Sequence, residues 1–379
     1  MPEAFKNLIH AGTVAHAARH LRRAWPGFDA ARFEHLAGSG LEALEMKARA
    51  MQIATALQAC LPGDFGQAAQ MVEAALAPPG EPESEGLTGW VVWSLGEWVA
   101  RCVADQPREL HRGLQCLHAL TQRFSAEFAI RPLLRDHPAE VWPVLGRWAE
   151  DPIPTVRRLA SEGSRPRLPW GLRLQALVRD PSPAFPVLLR LQDDPDDAVR
   201  RSVANHLNDI GKDHPALLAD WLADHLPGAP APRRQLLRHA SRTLIKAGDP
   251  RVLSAWGLGR RFRGEAALSM APGTVAVGGE VTLQVTLRST ARTAQTLVVD
   301  YAVQHVGARG ERSPKVFKGW NLELAAGETR TLVKRHSLRP ITTRRYHPGW
   351  HPVSLRVNGV SVAEGGFELS PAPGRSQAG

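Results

Sequence analysis

Three acidic residues stand at related places in a sequence that is otherwise rich in arginine. Glu127 lies in RFSAEFAIRP (123–132), Glu162 in SEGSRPRLPW (161–170) and Asp209 in SVANHLNDIGKDHP (202–215). Neighbouring members are separated by 35 and 47 residues. If the surrounding helices form a repeat, corresponding positions of stacked units fall side by side along one wall. Carboxylates gathered there would repel a phosphate backbone, so they suit a reaction that creates positive charge.

Each of the three also has an ordinary explanation when it is considered alone. Glu127 has Arg123 and Arg131 four residues away on either side, which suits a helix-surface ion pair. Glu162 would be a solvated helix end, and Asp209 a helix-end turn residue just before Gly211 or a partner of Lys212. Only their shared register favours a functional interpretation.

An aromatic residue and two histidines are the other candidates for chemistry. Trp170 follows Pro169 in a short loop, where tryptophan is more often a core residue, but an exposed indole could hold a cationic base or sugar against its face. His347 and His351 are four residues apart, yet Pro348 and Pro352 place them in a loop rather than on a helical metal-binding face. No Gly-rich phosphate loop, HExxH, GxSxG or paired CxxC is present, so no metal or cofactor is expected.

A repeat in the sequence supplies the elements that would position these residues. Asp151-Pro152 precedes VRRLA (156–160), and 43 residues later Asp194-Pro195 precedes VRRSVA (199–204). One helix is predicted upstream of each copy, over 133–151 and over 177–194. A helix pair with an Asp-Pro turn at this period is typical of HEAT repeats, whose stacked pairs bury a shared core. We therefore predict a HEAT-like repeat domain over residues 1–262.

The pattern changes to a period of two near residue 265. VTLQVTLRS (281–289) alternates apolar and polar residues, and TLVVDYAVQHV (296–306) and TRTLVKRHSL (329–338) are further strand candidates. In VSLRVNGVSV (353–362), Asn358-Gly359 between two alternating runs predicts a hairpin. The expected fold class is thus mainly α, a HEAT-like helical-repeat solenoid followed by a small all-β immunoglobulin-like sandwich over 266–370 and a disordered tail over 371–379.

Charge and composition narrow the partner. The chain has a net charge of +10, and residues 266–379 contribute +7 of it from 14 basic and 7 acidic side chains. A polyanion is therefore a reasonable partner of the sandwich. Only three cysteines occur, so no disulfide framework is expected. The sequence has no stretch long and apolar enough for a membrane span and no secretory signal. We therefore expect a cytoplasmic protein without membrane contact, and a monomer.

The residues around the three acids resemble a known family. RFSAEFAIRP, VRRLASEGSRPRLPW and DPDDAVRRSVANHLNDIGKDHP, in this order and spacing, are similar to the AlkC group of DNA alkylation repair glycosylases, which are relatives of the AlkD HEAT-repeat glycosylases. FKNLI near the N-terminus, EMKARAMQIATAL and a β-sandwich after the helices fit the same group. The resemblance covers nearly the whole chain and is most specific over 121–215.

The resemblance implies a function for these residues. It suggests a monofunctional DNA glycosylase, without metal or cofactor, that releases cationic bases such as 3-methyladenine and 3-methylcytosine from double-stranded DNA. It implies that Glu127, Glu162 and Asp209 are the active-site carboxylates and that Trp170 is the aromatic residue beside them. A base alkylated at a ring nitrogen already carries positive charge, so a fixed carboxylate needs only to stabilise the oxocarbenium-like sugar while a second orients water.

Basic side chains are the expected DNA-backbone contacts. In the helical domain they open the second helices of the repeats, where ion pairs that brace the repeats are an equal alternative: Arg157, Arg158, Arg200 and Arg201. In the sandwich the candidates are Lys315, Lys318, Arg339, Arg344 and Arg345. Two other functions remain open at this point, a non-catalytic HEAT scaffold for a protein partner and a structure-specific DNA-binding protein.

Overall fold

The computed structural model of the protein describes residues 5–79, 85–258, 260–341 and 345–371. Its α-helices, in chain order, are α1 (Ala11–Ala24), α2 (Ala30–Gly38), α3 (Met46–Cys60), α4 (Phe65–Ala75), α5 (Val91–Asp105), α6 (Leu110–Thr121), α7 (Ile130–Asp136), α8 (Pro138–Trp148), α9 (Pro154–Glu162), α10 (Gln175–Arg179), α11 (Phe185–Leu191), α12 (Asp197–Asp213), α13 (Pro215–His225), α14 (Ala231–Ala240), α15 (Arg242–Ala247) and α16 (Pro250–Ala255). None of these helices combines the length and the apolar character needed to cross a membrane.

The strands follow the helices, as the fold class predicted. They are β1 (Gly264–Ala271), β2 (Thr274–Ala276), β3 (Glu280–Ser289), β4 (Gln295–Val306), β5 (Arg312–Leu324), β6 (Thr329–Ser337), β7 (Gly349–Val357) and β8 (Val360–Ser370). The described chain forms two compact units, one with α1–α12 and α14 and the other with α13, α15, α16 and all the strands. The predicted tail lies outside the described residues except for Pro371.

The two copies of the repeat fold in the same way around their Asp-Pro turns. The Asp151 carboxylate accepts the amide of Ile153 at 2.8 Å, and Asp194 accepts that of Asp196 at 2.9 Å. The first arginine of each VRR motif then closes its turn, because Arg157 Nη1 donates to the carbonyls of Asp151 and Pro152, and Arg200 Nη1 to those of Asp194 and Pro195. The sequence repeat is therefore also a repeat of hydrogen bonds.

The prediction of one helix upstream of each copy was wrong, because both segments are broken. The chain over 133–151 turns between α7 and α8 at His137, and that over 177–194 turns between α10 and α11 through a 3-10 segment, Ser182–Ala184. Proline explains both breaks. It lacks an amide hydrogen and disfavours helical backbone in the residue before it, so a helix begins at Pro138 rather than passing through it.

The second unit contains a two-sheet sandwich. One sheet has the order β1-β3-β6 and the other β2-β8-β7-β4-β5. The alternation of β3 is confirmed, because Val281, Leu283, Val285 and Leu287 are all buried. They pack against residues of β4, β7 and β8 in the core between the sheets.

The predicted Asn358-Gly359 turn is present between β7 and β8, and it also contacts a helix of the same unit. Both of its residues have left-handed backbone, with φ of 50° and 81°, as a two-residue hairpin requires. A Cβ on Gly359 would lie 2.5 Å from the Cα of Gly248, the C-cap of α15. Arg356 donates to the last carbonyls of that helix, Lys246 and Ala247, at 3.3 Å each. The hairpin tip thus caps a helix of its own unit.

Candidate active site

The three predicted carboxylates come from successive elements of the helical unit. Glu127 is in the turn before α7, Glu162 is the last residue of α9, and Asp209 is inside α12. Two expectations about their surroundings were wrong. The α12 helix continues past Gly211 to Asp213, so Asp209 is not a helix-end residue, and Glu162 is buried rather than solvated.

Glu127 binds an arginine from the next repeat and neither of its neighbours at i±4. The Glu127 Oε2 atom accepts Arg158 Nη1 at 3.0 Å and the hydroxyl of Ser125. The same Arg158 Nη1 donates to Ser125 Oγ at 2.9 Å. On the other side, Arg158 Nη2 lies 3.9 Å from Glu162 Oε1. Arg158 therefore lies between the first two carboxylates.

Arg165 joins the second carboxylate to the third in the interior. Its Nη1 donates to Glu162 Oε1 at 2.6 Å, and its Nε and Nη2 lie 2.9 and 2.8 Å from Asp209 Oδ2. Burial opposes the positive charge of Arg165, but Glu162 and Asp209 together outweigh it and raise the pKa of the guanidinium. Ser202 Oγ donates to Glu162 Oε2 at 2.6 Å, and Lys212 Nζ donates to Asp209 Oδ1 at 2.8 Å.

The three carboxylates differ in what they leave open to a ligand. The exposed fraction of the side chain falls from 15% at Glu127 to 8% at Glu162 and 1% at Asp209. Both oxygens of Glu162 and of Asp209 accept hydrogen bonds. Glu127 Oε1 accepts none from the described residues, so it is the carboxylate oxygen of the cluster that can bind water or a ligand without breaking an existing bond.

A neutral polar layer lies behind Glu162. Ser202 Oγ is 3.1 Å from Ser161 Oγ, and His206 Nδ1 is 3.0 Å from the Ser161 carbonyl. His206 is fully buried. Burial, together with the charge of Arg165, lowers its pKa to about 3, although a hydrogen bond to Ser161 acts in the opposite direction. The imidazole is therefore neutral at neutral pH, and the charges of the cluster reside on the acids, the arginines and Lys212.

The structure places Trp170 on the surface of a loop rather than in the core. Trp170 is 62% exposed and has left-handed backbone with φ of 62°. The loop begins directly after Glu162 and extends to α10, so the aromatic ring and a carboxylate are carried by one connection. An exposed indole can lie against a base or a sugar.

The four arginines of the VRR motifs divide into two kinds. Arg157 binds the Asp194 carboxylate of the next repeat through Nε at 2.6 Å and Nη2 at 3.0 Å, and Arg200 is held by its own Asp-Pro turn. Arg157 therefore joins two repeats, whereas Arg200 closes the turn of its own repeat. Arg158 contacts the carboxylate cluster, and Arg201 is 68% exposed with one ion pair, to Asp197 at 3.3 Å. The second arginine of each motif is the one that can meet a ligand.

The basic candidates of the sandwich are on its surface. Lys315, Lys318, Arg339 and Arg345 are exposed, and Arg344 lies outside the described residues. His351 Nε2 lies 3.1 Å from the carbonyl of His347, and its ring stacks on the buried Phe367. Among the described residues, no three His, Cys, Asp or Glu side chains are grouped so that they could hold a metal ion.

An arginine cluster was missed from the sequence. Arg260, Arg261 and Arg263 line a cavity of about 430 Å³ with Thr293 and Gln295, and none of the three pairs with a described carboxylate. The backbone that carries them is fixed, because Gln295 and Asn358 hydrogen-bond to the main chain of Arg263 and Arg260. The run RRFR (260–263) was visible in the sequence, at the end of the predicted helical domain, but it was not singled out as a DNA contact.

Comparison with known proteins identifies the family. Residues 265–371 match the family model described as "Uncharacterised protein YhaZ, C-terminal Ig-like domain". The chain is 32% identical over 362 residues to the uncharacterized protein YhaZ of Bacillus subtilis (strain 168), covering 93% of this chain and 96% of that protein. The structure of the Pseudomonas fluorescens alkylpurine DNA glycosylase AlkC, bound to DNA containing an abasic site analog, is similar with a TM-score of 0.90 and 35% identity, over 97% of this chain and 100% of that chain. The chain therefore belongs to the family that includes YhaZ and AlkC, with an all-helical N-terminal region followed by an Ig-like domain.

Proposed function

We propose that this protein is a monofunctional DNA glycosylase that hydrolyses the N-glycosidic bond of cationic alkylated bases, such as 3-methyladenine and 3-methylcytosine, in double-stranded DNA. The observation that carries the proposal is the cluster of Glu127, Glu162 and Asp209, joined through Arg158 and Arg165 and leaving Glu127 Oε1 open. The similarity to AlkC supports it, because that alkylpurine DNA glycosylase was solved on DNA with an abasic site analog.

The geometry suits the departure of a base that is already charged. When the bond from C1′ to the base nitrogen breaks, the base leaves as a neutral molecule and the positive charge moves to the sugar. A fixed carboxylate stabilises that charge best where water is excluded. A water molecule then forms the new bond to C1′, and its proton passes to a carboxylate or to solvent. The reaction needs no lysine nucleophile, so no strand cleavage is proposed.

From their exposure and bonding we infer different roles for the three acids. Glu127 has the open oxygen, so we assign it the contact with water or with the developing cation. Glu162 and Asp209 are fixed by ion pairs with Arg165, so we assign them an electrostatic role as negative charges in fixed positions. Trp170 offers its face to the cationic base or sugar. The cluster has three carboxylates and three close cations, which lets it lie beside a phosphate backbone without strong net repulsion.

The decisive test is the release of free bases from methylated duplex DNA under single-turnover conditions. Glu127→Gln should slow release by about 10²- to 10⁴-fold, because it removes the carboxylate charge but keeps the shape of the side chain. Glu162→Gln should also slow it. Glu73→Gln is a matched control, since Glu73 forms a paired contact with Arg112 in the same unit, outside the cluster.

Each alternative function has its own outcome. Equal release by wild type and Glu127→Gln would remove Glu127 from the mechanism. A wild-type protein that binds duplex DNA with a steep salt dependence but releases no base would be a structure-specific DNA-binding protein. A wild-type protein that releases no base and shows no steep salt dependence of DNA binding would fit the third function, a non-catalytic scaffold for a protein partner.

A further inference from the structure

The loop of residues 163–174, called the Trp170 loop below, presents its tryptophan from an unfavourable backbone conformation. A left-handed residue that is not glycine costs about 1–2 kcal/mol, and such residues persist where the surrounding structure holds them. Trp170 is 62% exposed, so burial alone does not hold the residue in place. Hydrogen bonds to the main chain of the loop help to fix its conformation.

Arg131 of α7 supplies bonds to both ends of this loop. Its Nη1 donates to the Gly163 carbonyl at 2.9 Å, and its Nε donates to the Leu172 carbonyl at 2.6 Å. The loop also packs closely on the guanidinium, because a Cβ added to Gly171 would lie 3.2 Å from Arg131 Nε. One fully buried side chain therefore ties the residue after Glu162 to the segment just after Trp170.

The buried positive charge of Arg131 is not balanced by a direct ion pair. No described carboxylate lies within ion-pair distance, and its buried Nη2 has no hydrogen-bond partner among the described residues. Burial, together with the charge of Arg165, lowers the pKa of the guanidinium to about 10, although the three carboxylates act in the opposite direction. A buried cation without an ion pair is costly. What it provides here is a pair of charge-assisted bonds to the loop.

We propose that Arg131 is a positioning residue that fixes Trp170 relative to Glu127. The inference rests on the proposed glycosylase function. Glu127 lies four residues before Arg131 in the chain, so one short segment holds both the open carboxylate and the loop that carries the indole. A lysine has a single nitrogen and cannot reproduce the two-pronged contact with Gly163 and Leu172.

A double-mutant cycle tests this coupling. Arg131→Lys should slow base release by about 10- to 100-fold, the cost of a small misplacement at the reacting centre. If Arg131 acts through the indole, the same change should cost less than about twofold in a Trp170→Ala background. Arg123→Lys is the matched control, since Arg123 also binds main-chain carbonyls, those of Ala77 and Ala119, but does not contact the Trp170 loop.

A second readout does not depend on catalysis. The amides of Gly171 and Leu174 donate to the carbonyls of Leu168 and Pro166, so their hydrogen exchange reports the order of the loop. Arg131→Lys should speed exchange at both amides, and Arg123→Lys should not. If Arg131→Lys fails to fold, Gly171→Ala replaces it in this test. A Cβ at position 171 crowds Arg131 from the loop side, so we expect the same change in exchange.

Two results would overturn the proposal while leaving the proposed function intact. One is an Arg131→Lys effect of the same size with and without Trp170. The other is unchanged exchange at Gly171 and Leu174. A wild-type protein that releases no base would instead refute the glycosylase function, and the exchange measurement would still report whether Arg131 fixes the loop.

Discussion

Arg165 is the side chain whose loss should cost the helical unit most stability. It is 7% exposed and binds both Glu162 and Asp209. Arg165→Met keeps much of the side-chain volume but leaves two buried carboxylates facing each other. Glu162 would keep the Ser202 bond and Asp209 the Lys212 bond, so neither would be fully unpaired. Removing one partner of a buried ion pair costs about 3–5 kcal/mol, which is the expected loss in the free energy of unfolding.

The assay is urea unfolding followed by the helical circular dichroism signal, with Arg167→Met as the control. Arg167 also forms an ion pair across the same repeats, with Asp213, but its side chain is 29% exposed. Its removal should cost about 1 kcal/mol. The Arg165→Met loss should change little with salt, because buried pairs are screened weakly.

The reasoning is refuted if Arg165→Met destabilises the protein no more than Arg167→Met. Such a result would mean that Glu162 and Asp209 tolerate each other without the arginine, through solvent that enters the cluster or through a rearranged Lys212. The charge balance assigned to the site would then be wrong, together with the assignment of Glu162 and Asp209 as held charges.

Two further predictions concern pH and salt. The neutral state of His206 stabilises the fold above its unfolded pKa of 6.5, and this contribution is lost as pH falls from 6.5 towards the folded value of about 3. His206→Gln should therefore reduce the slope of the unfolding free energy against pH in that window by about one proton, or roughly 1.4 kcal/mol per pH unit. The same change at the exposed His35 should leave that slope unaltered. Changing Arg260, Arg261 and Arg263 together to alanine should lower the slope of log duplex-DNA affinity against log salt concentration by up to about 2.7. Arg288→Ala, which removes an exposed arginine paired with Glu265, should change that slope little. An unchanged slope in the triple variant would show that the cluster does not bind the DNA backbone.

The sequence was most informative where a pattern repeats. The two copies with Asp151 and Asp194 predicted the helix pairs, and the alternation of β3 predicted a strand with one buried face. Each depends on local periodicity, which a single sequence displays. The helix breaks were equally local, one at Pro138 and the other at Pro181, which directly precedes the 3-10 segment Ser182–Ala184. They were overlooked because the apolar pattern continues across both.

Partners in the cluster could not be read from the sequence. Glu127 had two arginines at helical spacing, yet it binds Arg158, which is 31 residues away. Arg165 is one of two arginines in SEGSRPRLPW, and nothing local indicates that it is the buried one. Which charge pairs with which depends on how repeats stack, and stacking is decided by contacts between distant segments. The register of the acids was predictable, but their ion pairs were not.

The contact between the β7–β8 hairpin and α15 affects how the role of the sandwich can be studied. A protein shortened at residue 265 would lose the strands and would also leave the end of α15 without Arg356, with Gly248 facing solvent. Weak DNA binding by that fragment could then reflect a damaged helix rather than a missing DNA contact. Point changes on the sandwich surface keep this cap intact, and they are the sounder way to separate folding from recognition.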